Sequence, residues 1–260
     1  MANESNAAAT GKVNIVRVNK DKHKNIKIKS TSGMPQATKL HISSVVAREF
    51  PQAATNFPVV FIKDSNSGRY LAVSLFGFEE GENLFFEDGK WAATYVPMNI
   101  ARYPFAIEVS ENADKKAVVH VGLDKSSDYV NEEEGQALFS EQGEETDYLK
   151  SMTKYLGELF ESEMVTQHFT NRMVEMELVQ PMDFGLEMAN GDKRSVTGIY
   201  TIHQEKLQNL DDEKLTALHK QGYLGPVYAM LTSLGQVNRL VRLRNKTGVN
   251  TINRLHLQLK

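Results

Sequence analysis

The sequence predicts an α+β protein: a mostly antiparallel β region followed by a long helix, a second β-hairpin and C-terminal helices. Three observations carry this. Short apolar segments alternate with turn residues from about Lys39 to Leu123. Near Glu144 the apolar spacing changes to three and four, the period of an amphipathic helix. An Asn190-Gly191 pair then joins two more strand-like runs before helical spacing returns. Strands, helix, hairpin and helices in that order do not form repeating βαβ units.

The elements follow in chain order. Val13 to Val18 and Asn25 to Ser30 alternate apolar and polar residues, as half-buried strands do. His41 to Phe50, Phe57 to Asp64 and Arg69 to Phe78 read as strands, the last two separated by the turn cluster Ser65-Asn66-Ser67-Gly68. Asp88-Gly89 between ENLFFE and KWAATYVP marks a hairpin, because such turns need positive φ. Pro97 and Pro104 cannot donate to a ladder and belong at strand starts, edges or bulges. ARYPFAIEVS and AVVHVGLD complete the β region. Tyr148, Met152, Tyr155 and Leu159 open the stripe of a long amphipathic helix, or of two in sequence, ending before Pro181. HQEKLQNL and DDEKLTALHKQG are short helices, and a further helix starts near Pro226.

The 260 residues suffice for a sizeable core without a staple. A polar basic N-terminal arm (1–38) and a basic tail (241–260) flank the rest of the chain, and the acidic stretch Asp124 to Gly143 reads as an internal boundary or excursion. The chain has no cysteine, which removes thiol nucleophiles, disulfides and cysteine-bound metals, and fits a reducing compartment. No apolar run approaches a membrane span, and the N-terminus lacks a signal-peptide pattern, so a cytoplasmic location is expected.

Net charge is −3, but its distribution is uneven. Lysines crowd Gly11 to Leu40, glutamates occupy the middle, and Arg239, Arg242, Arg244 and Lys246 make the tail basic. Aromatic residues are not interleaved with these basic runs, which argues against nucleic-acid binding by base stacking. A solvated face, or docking of the termini on the acidic middle, explains the same pattern.

Motifs for chemistry are missing. There is no His-Glu-x-x-His helix, Walker motif, Gly-x-Gly-x-x-Gly fingerprint or Gly-x-Ser-x-Gly elbow. No cofactor and no metal site are expected. The richest stretch is Phe76 to Phe105, which holds the single tryptophan. Within it Asn83, Trp91, Tyr95, Arg102 and Tyr103 supply aromatic faces, an amide and a guanidinium, a set suited to a protein, peptide, glycan or anionic ligand. The competing reading is packing, with Trp91 as a core anchor and Arg102 paired to a glutamate.

The same residues carry a family resemblance. Gly81-Glu82-Asn83-Leu84-Phe85, Gly89-Lys90-Trp91, Tyr95-Val96-Pro97 and Arg102-Tyr103-Pro104-Phe105 resemble the signature of the SapC family of bacterial proteins. The likeness runs through Glu49-Phe50, Phe57 to Phe61, Gly198-Ile199-Tyr200 and Gly222-Tyr223-Leu224, and covers about Lys39 to Leu240. The resemblance implies an association with a bacterial surface layer, or with TonB-dependent uptake, and carries no catalytic residues. Two readings follow. One is a non-catalytic accessory or binding protein. The other is an enzyme or enzyme subunit, for example a partner of a cupin-type oxygenase or halogenase-like protein, with a site assembled from distant residues.

Overall fold

The fold is taken from a computed structural model, which describes residues 14–31, 33–112, 115 and 117–260. Lys12, Val13 and the rest of the polar N-terminus lie outside the described residues. The first half of the chain comprises β1 (Ile15–Arg17), α1 (Lys20–His23), β2 (Lys27–Ile28), β3 (Ile42–Ser44), α2 (Phe50–Ala53), β4 (Val59–Lys63), β5 (Tyr70–Leu75), β6 (Phe86–Glu87), β7 (Lys90–Trp91), α3 (Met98–Ala101), β8 (Phe105–Glu111) and β9 (Ala117–Asp124). The second half comprises β10 (Val130–Asn131), β11 (Gln136–Ala137), α4 (Asp147–Glu175), β12 (Val179–Met188), β13 (Lys193–Ile202), α5 (Gln204–Gln208), α6 (Asp212–Lys220), α7 (Leu224–Ser233), α8 (Val237–Lys246) and β14 (Ile252–Leu259).

The architecture is α+β. A six-stranded antiparallel sheet in the order β14-β12-β13-β4-β5-β3 forms its centre. A three-stranded sheet, β1-β9-β8, and a smaller one, β10-β2-β11, lie apart from it. Both predicted hairpins form. β6 and β7 pair across Asp88 (φ 50°) and Gly89 (φ 72°), two consecutive left-handed residues as a two-residue hairpin turn requires. β12 and β13 meet across Asn190-Gly191.

The helical period near residue 147 produces one helix of 29 residues, about 43 Å long at 1.5 Å per residue. Thr146 caps it, its Oγ1 accepting from the Leu149 N–H at 3.3 Å. That length lets α4 serve two cores. Leu149 and Leu156 pack with Phe105 and Leu123 near the small sheets. Phe169 and Met173 join the large core with Phe50 and Phe61.

Some strand expectations shorten. His41 to Phe50 is strand only at Ile42–Ser44, after which a 3₁₀ turn (Ala47–Glu49) leads into α2. Pro51 suits the first turn of a helix, and the Glu49 carboxylate accepts from the Val46 N–H at 3.0 Å, so the chain turns there. Pro97 precedes α3 as its cap residue rather than starting a strand, whereas Pro104 immediately precedes β8.

The basic tail meets the acidic middle. Arg244, 4% exposed, grips Glu82 with Nε at 2.5 Å and Nη2 at 2.7 Å, and Lys246 reaches Glu87 at 2.7 Å. Near the other end Lys29 pairs with Glu134 at 2.9 Å. Part of the charge asymmetry in the sequence is therefore neutralised within the fold.

Candidate functional site

The five residues singled out between Phe76 and Phe105 divide into three groups: Asn83 with Trp91, Arg102 with Tyr103, and Tyr95 alone. Asn83 and Trp91 hold backbone. The Asn83 side chain donates to the Ala37 carbonyl at 2.8 Å and accepts from the Phe85 N–H at 3.0 Å. Trp91 packs against Phe57, Phe76, Phe85 and Phe86 at centroid distances of 5.4–6.4 Å. Its Nε1 donates to the Tyr95 carbonyl at 2.9 Å, and its backbone N–H donates to Gly33 at 3.0 Å. These bonds fasten residues 33–37, which end in the 3₁₀ turn Pro35–Ala37.

Arg102 and Tyr103 line a cavity of about 410 Å³. The Pro35–Ala37 turn forms one wall through Pro35 and Gln36. The start of β8 and the end of β9 form another, with Phe105, Ala106 and Asp124, and Tyr129 lies beyond them. Tyr103 and Tyr129 meet edge to face at 5.8 Å. Asp124 Oδ1 accepts from the backbone N–H of Asn14 at 3.1 Å and of Ser126 at 3.0 Å, and from the Ser126 hydroxyl at 2.5 Å. On the opposite wall Gln36 Oε1 is buried with no hydrogen-bond partner, while its Nε2 reaches the Ile100 carbonyl at 3.5 Å.

Behind the cavity a polar network fixes α3 and Arg102. Arg102 donates from Nε to Asn99 Oδ1 at 3.1 Å and from Nη1 to the Phe105 carbonyl at 2.8 Å. Asn99 Nδ2 in turn reaches Glu163 Oε1 on α4 at 3.5 Å and the Ser44 carbonyl at 3.4 Å. Tyr155, also on α4, donates to the Met98 carbonyl at 3.1 Å. Glu49 completes the network. It is 3% exposed, and its Oε1 accepts from the Tyr95 hydroxyl at 2.6 Å and the Met98 N–H at 2.7 Å.

Burial governs the protonation of these groups. It raises the Glu49 carboxyl above its ordinary range, against the opposing pull of Tyr95 and the Val46 and Met98 amides. It also raises Glu163, whose charge Arg102 and Asn99 partly support. Tyr155 is pushed up to about 12 by burial and by the nearby Glu49 charge. Tyr95 rises by burial and by its bond to Glu49. Burial presses the Arg102 guanidinium down, with Glu163 opposing.

The sequence-predicted residues Arg102 and Tyr103 thus share one cavity; Asn83, Trp91 and Tyr95 do not line it. Sequence reasoning missed Asn99, Asp124 and Tyr129 on the lining, and Glu49, Tyr155 and Glu163 behind it. The only local signal was Glu49, which falls in the family-like Glu49-Phe50 pair. The others lie in ordinary amphipathic or turn contexts, and apart from Asn99, three residues from Arg102, they meet the site from segments distant in sequence. Among the described residues no group of three or more His, Asp or Glu side chains is arranged to hold a metal ion. None of the described helices is long and apolar enough to cross a membrane.

No curated protein and no solved structure matches the chain. The SapC family model matches residues 18–240. That span begins well before Lys39 and takes in α1 and β2 as well as the signature from Gly81 to Phe105. With more than four-fifths of its length matched, the chain belongs to the SapC family.

Proposed function

We propose that this protein is a non-catalytic binding or accessory protein whose ligand seat is the cavity beside Arg102 and Tyr103. The observation that carries the reading is the cavity itself, about 410 Å³, with an apolar floor and a few fixed polar groups. That size and composition suit a small molecule, or the end of a peptide or glycan chain. Arg102 is the positioned cation, held by Asn99 and Phe105 before any ligand arrives. Tyr103 and Tyr129 offer aromatic faces. In this reading Asn83 and Trp91 act by positioning the wall at residues 33–37, and Tyr95 acts through Glu49. The setting we propose is a bacterial surface-layer or TonB-dependent uptake system, the association that the SapC resemblance carries.

The Glu49 carboxyl, raised by burial, is the observation that favours an enzyme. Its oxygens already accept from Tyr95, Met98 and Val46, which serves the backbone better than it serves a substrate.

The test is native mass spectrometry of the full chain purified from its own host, followed by binding assays with any molecule released. A bound small molecule, peptide or glycan that Arg102→Met loses at least tenfold supports the reading. Wild type and variant that both emerge empty and bind host extracts alike overturn it, as does steady turnover of the released molecule.

A further inference from the structure

The six-stranded sheet ends differently on its two sides. At one edge β3 is three residues long. At the other β14 runs for eight, and among the described residues no strand pairs with its outer side. Proteins blunt a free edge with short strands, prolines, bulges or charges. The stretch Leu255-His256-Leu257-Gln258-Leu259 contains no proline, lysine, arginine or carboxylate.

The register identifies which groups point outward. The Lys260 N–H donates to the Pro181 carbonyl at 3.1 Å, so that residue's backbone faces β12. Alternation along an antiparallel strand then turns the N–H and C=O of Leu255, Leu257 and Leu259 away from β12. The side chains of these leucines share one face, opposite Leu186, Phe184 and Met182. Leu257 and Leu259 are 43% and 60% exposed, so the apolar face ends uncovered at this edge.

We propose that β14 pairs antiparallel with β14 of a second copy, making a twofold dimer with one continuous sheet. A twofold axis normal to the sheet keeps the leucine faces together only when residues of like parity pair. Centring the pairing on Leu257 sets Arg254 opposite Lys260, and centring it on Leu255 sets Arg254 opposite His256. Centring it on His256 sets Arg254 opposite neutral Gln258 and Leu255 opposite Leu257, twice. This last register is the one of the three that keeps Arg254 from facing another basic side chain, and it still sets four leucines against one another across the seam. The contact is isologous and closes on itself. β14 lies outside the family-matched residues 18–240, and the proposal is independent of the ligand-binding reading.

The cysteine-free chain gives a register-specific test. In the dimer His256 faces its own symmetry mate, with Cα atoms about 4.5 Å apart in a non-hydrogen-bonded pair, within disulfide range. Arg254 lies four residues from its mate, about 13 Å along the strand, beyond that range. Mild oxidation of full-length protein is expected to link His256→Cys into a covalent dimer and to leave Arg254→Cys without a covalent link. Sedimentation of wild type should shift from monomer to dimer with concentration. Leu257→Pro removes an outward N–H without touching the β12 ladder; it should stay monomeric with unchanged far-UV circular dichroism. Should that variant fail to fold, the cysteine pair decides. A wild type monomeric at every concentration, cross-linking of Arg254→Cys as efficient as that of His256→Cys, or open-ended oligomers would overturn the proposal.

Discussion

The Tyr95 hydroxyl donates to Oε1 of Glu49 across 2.6 Å, joining the segment after the tryptophan hairpin to the 3₁₀ turn before α2. The same oxygen takes the Met98 N–H at 2.7 Å, so one buried carboxylate sets where α3 begins. Because α3 leads directly into Arg102, the position of the cavity's guanidinium depends on a glutamate that does not line the cavity.

Removing that carboxylate should therefore cost more than removing its tyrosine. Glu49→Ala strands three donors, those of Tyr95, Met98 and Val46. A loss of about 3 kcal/mol or more is expected. Tyr95→Phe leaves the carboxylate with both backbone donors, and a loss of about 2 kcal/mol is expected. Urea titrations of the two variants against wild type measure the order. Equal costs would show that Glu49 does not organise α3 in this way.

Glu163 gives a pH signature. Burial raises its folded pKa above the ordinary carboxylate value, so the folded state holds its proton more tightly than the unfolded chain does. Its contribution to stability is full below the unfolded value of 4.5 and is lost as pH rises through the raised folded value. Glu163→Gln removes the titration. The variant should gain stability relative to wild type as pH rises above 4.5, and the difference should level off above the folded pKa. Denaturation midpoints across that range supply the measurement; a constant difference would refute the assignment.

Gly77 and Arg244 bear on the same glutamate from opposite sides. A Cβ on Gly77 would lie 2.5 Å from the Glu82 carbonyl oxygen and 2.9 Å from its Cγ. Glu82 cannot retreat without releasing Arg244 and the Phe78 N–H, which it accepts at 2.8 Å. Gly77→Ala should cost about 1–3 kcal/mol by overpacking. Arg244→Met leaves a partly buried carboxylate without its partner and should cost about 3–5 kcal/mol. Combining the two should cost somewhat less than their sum, because a Glu82 side chain freed from Arg244 can relieve its Oε2 and Cγ contacts with the methyl, though not the carbonyl contact. Thermal unfolding of both single variants and the double variant tests this, and strict additivity would count against a shared partner.

Local chemistry was legible in the sequence. Asp88-Gly89 announced its hairpin because two adjacent residues must tolerate positive φ, and both do. The spacing of Tyr148, Met152, Tyr155 and Leu159 announced α4, since one stripe of a helix repeats within a few residues. The strand reading of residues 41–50 held only at 42–44, because Pro51 and the Glu49 cap outweighed a β-like composition. Trp91 turned out to be surrounded by phenylalanines, the packing alternative, while Arg102 found an asparagine and a carbonyl as its direct partners rather than a glutamate.

By itself the sequence determined the α+β class, the two hairpin turns, the long helix and, through its motif string, the family. The tertiary structure decided the rest: that Arg102 and Tyr103 share a cavity, and that Tyr95 serves Glu49. It also decided that Arg244 closes on Glu82 and that, among the described residues, no strand covers the outer side of β14. The reason is one of range. Turns and helical stripes are set by torsions and neighbours a few residues apart. The partners of Glu49 in this network, Tyr95 and Met98, lie 46 and 49 residues away, and Arg244 lies 162 residues from Glu82. Such contacts exist only once the sheet and α4 have brought distant segments together.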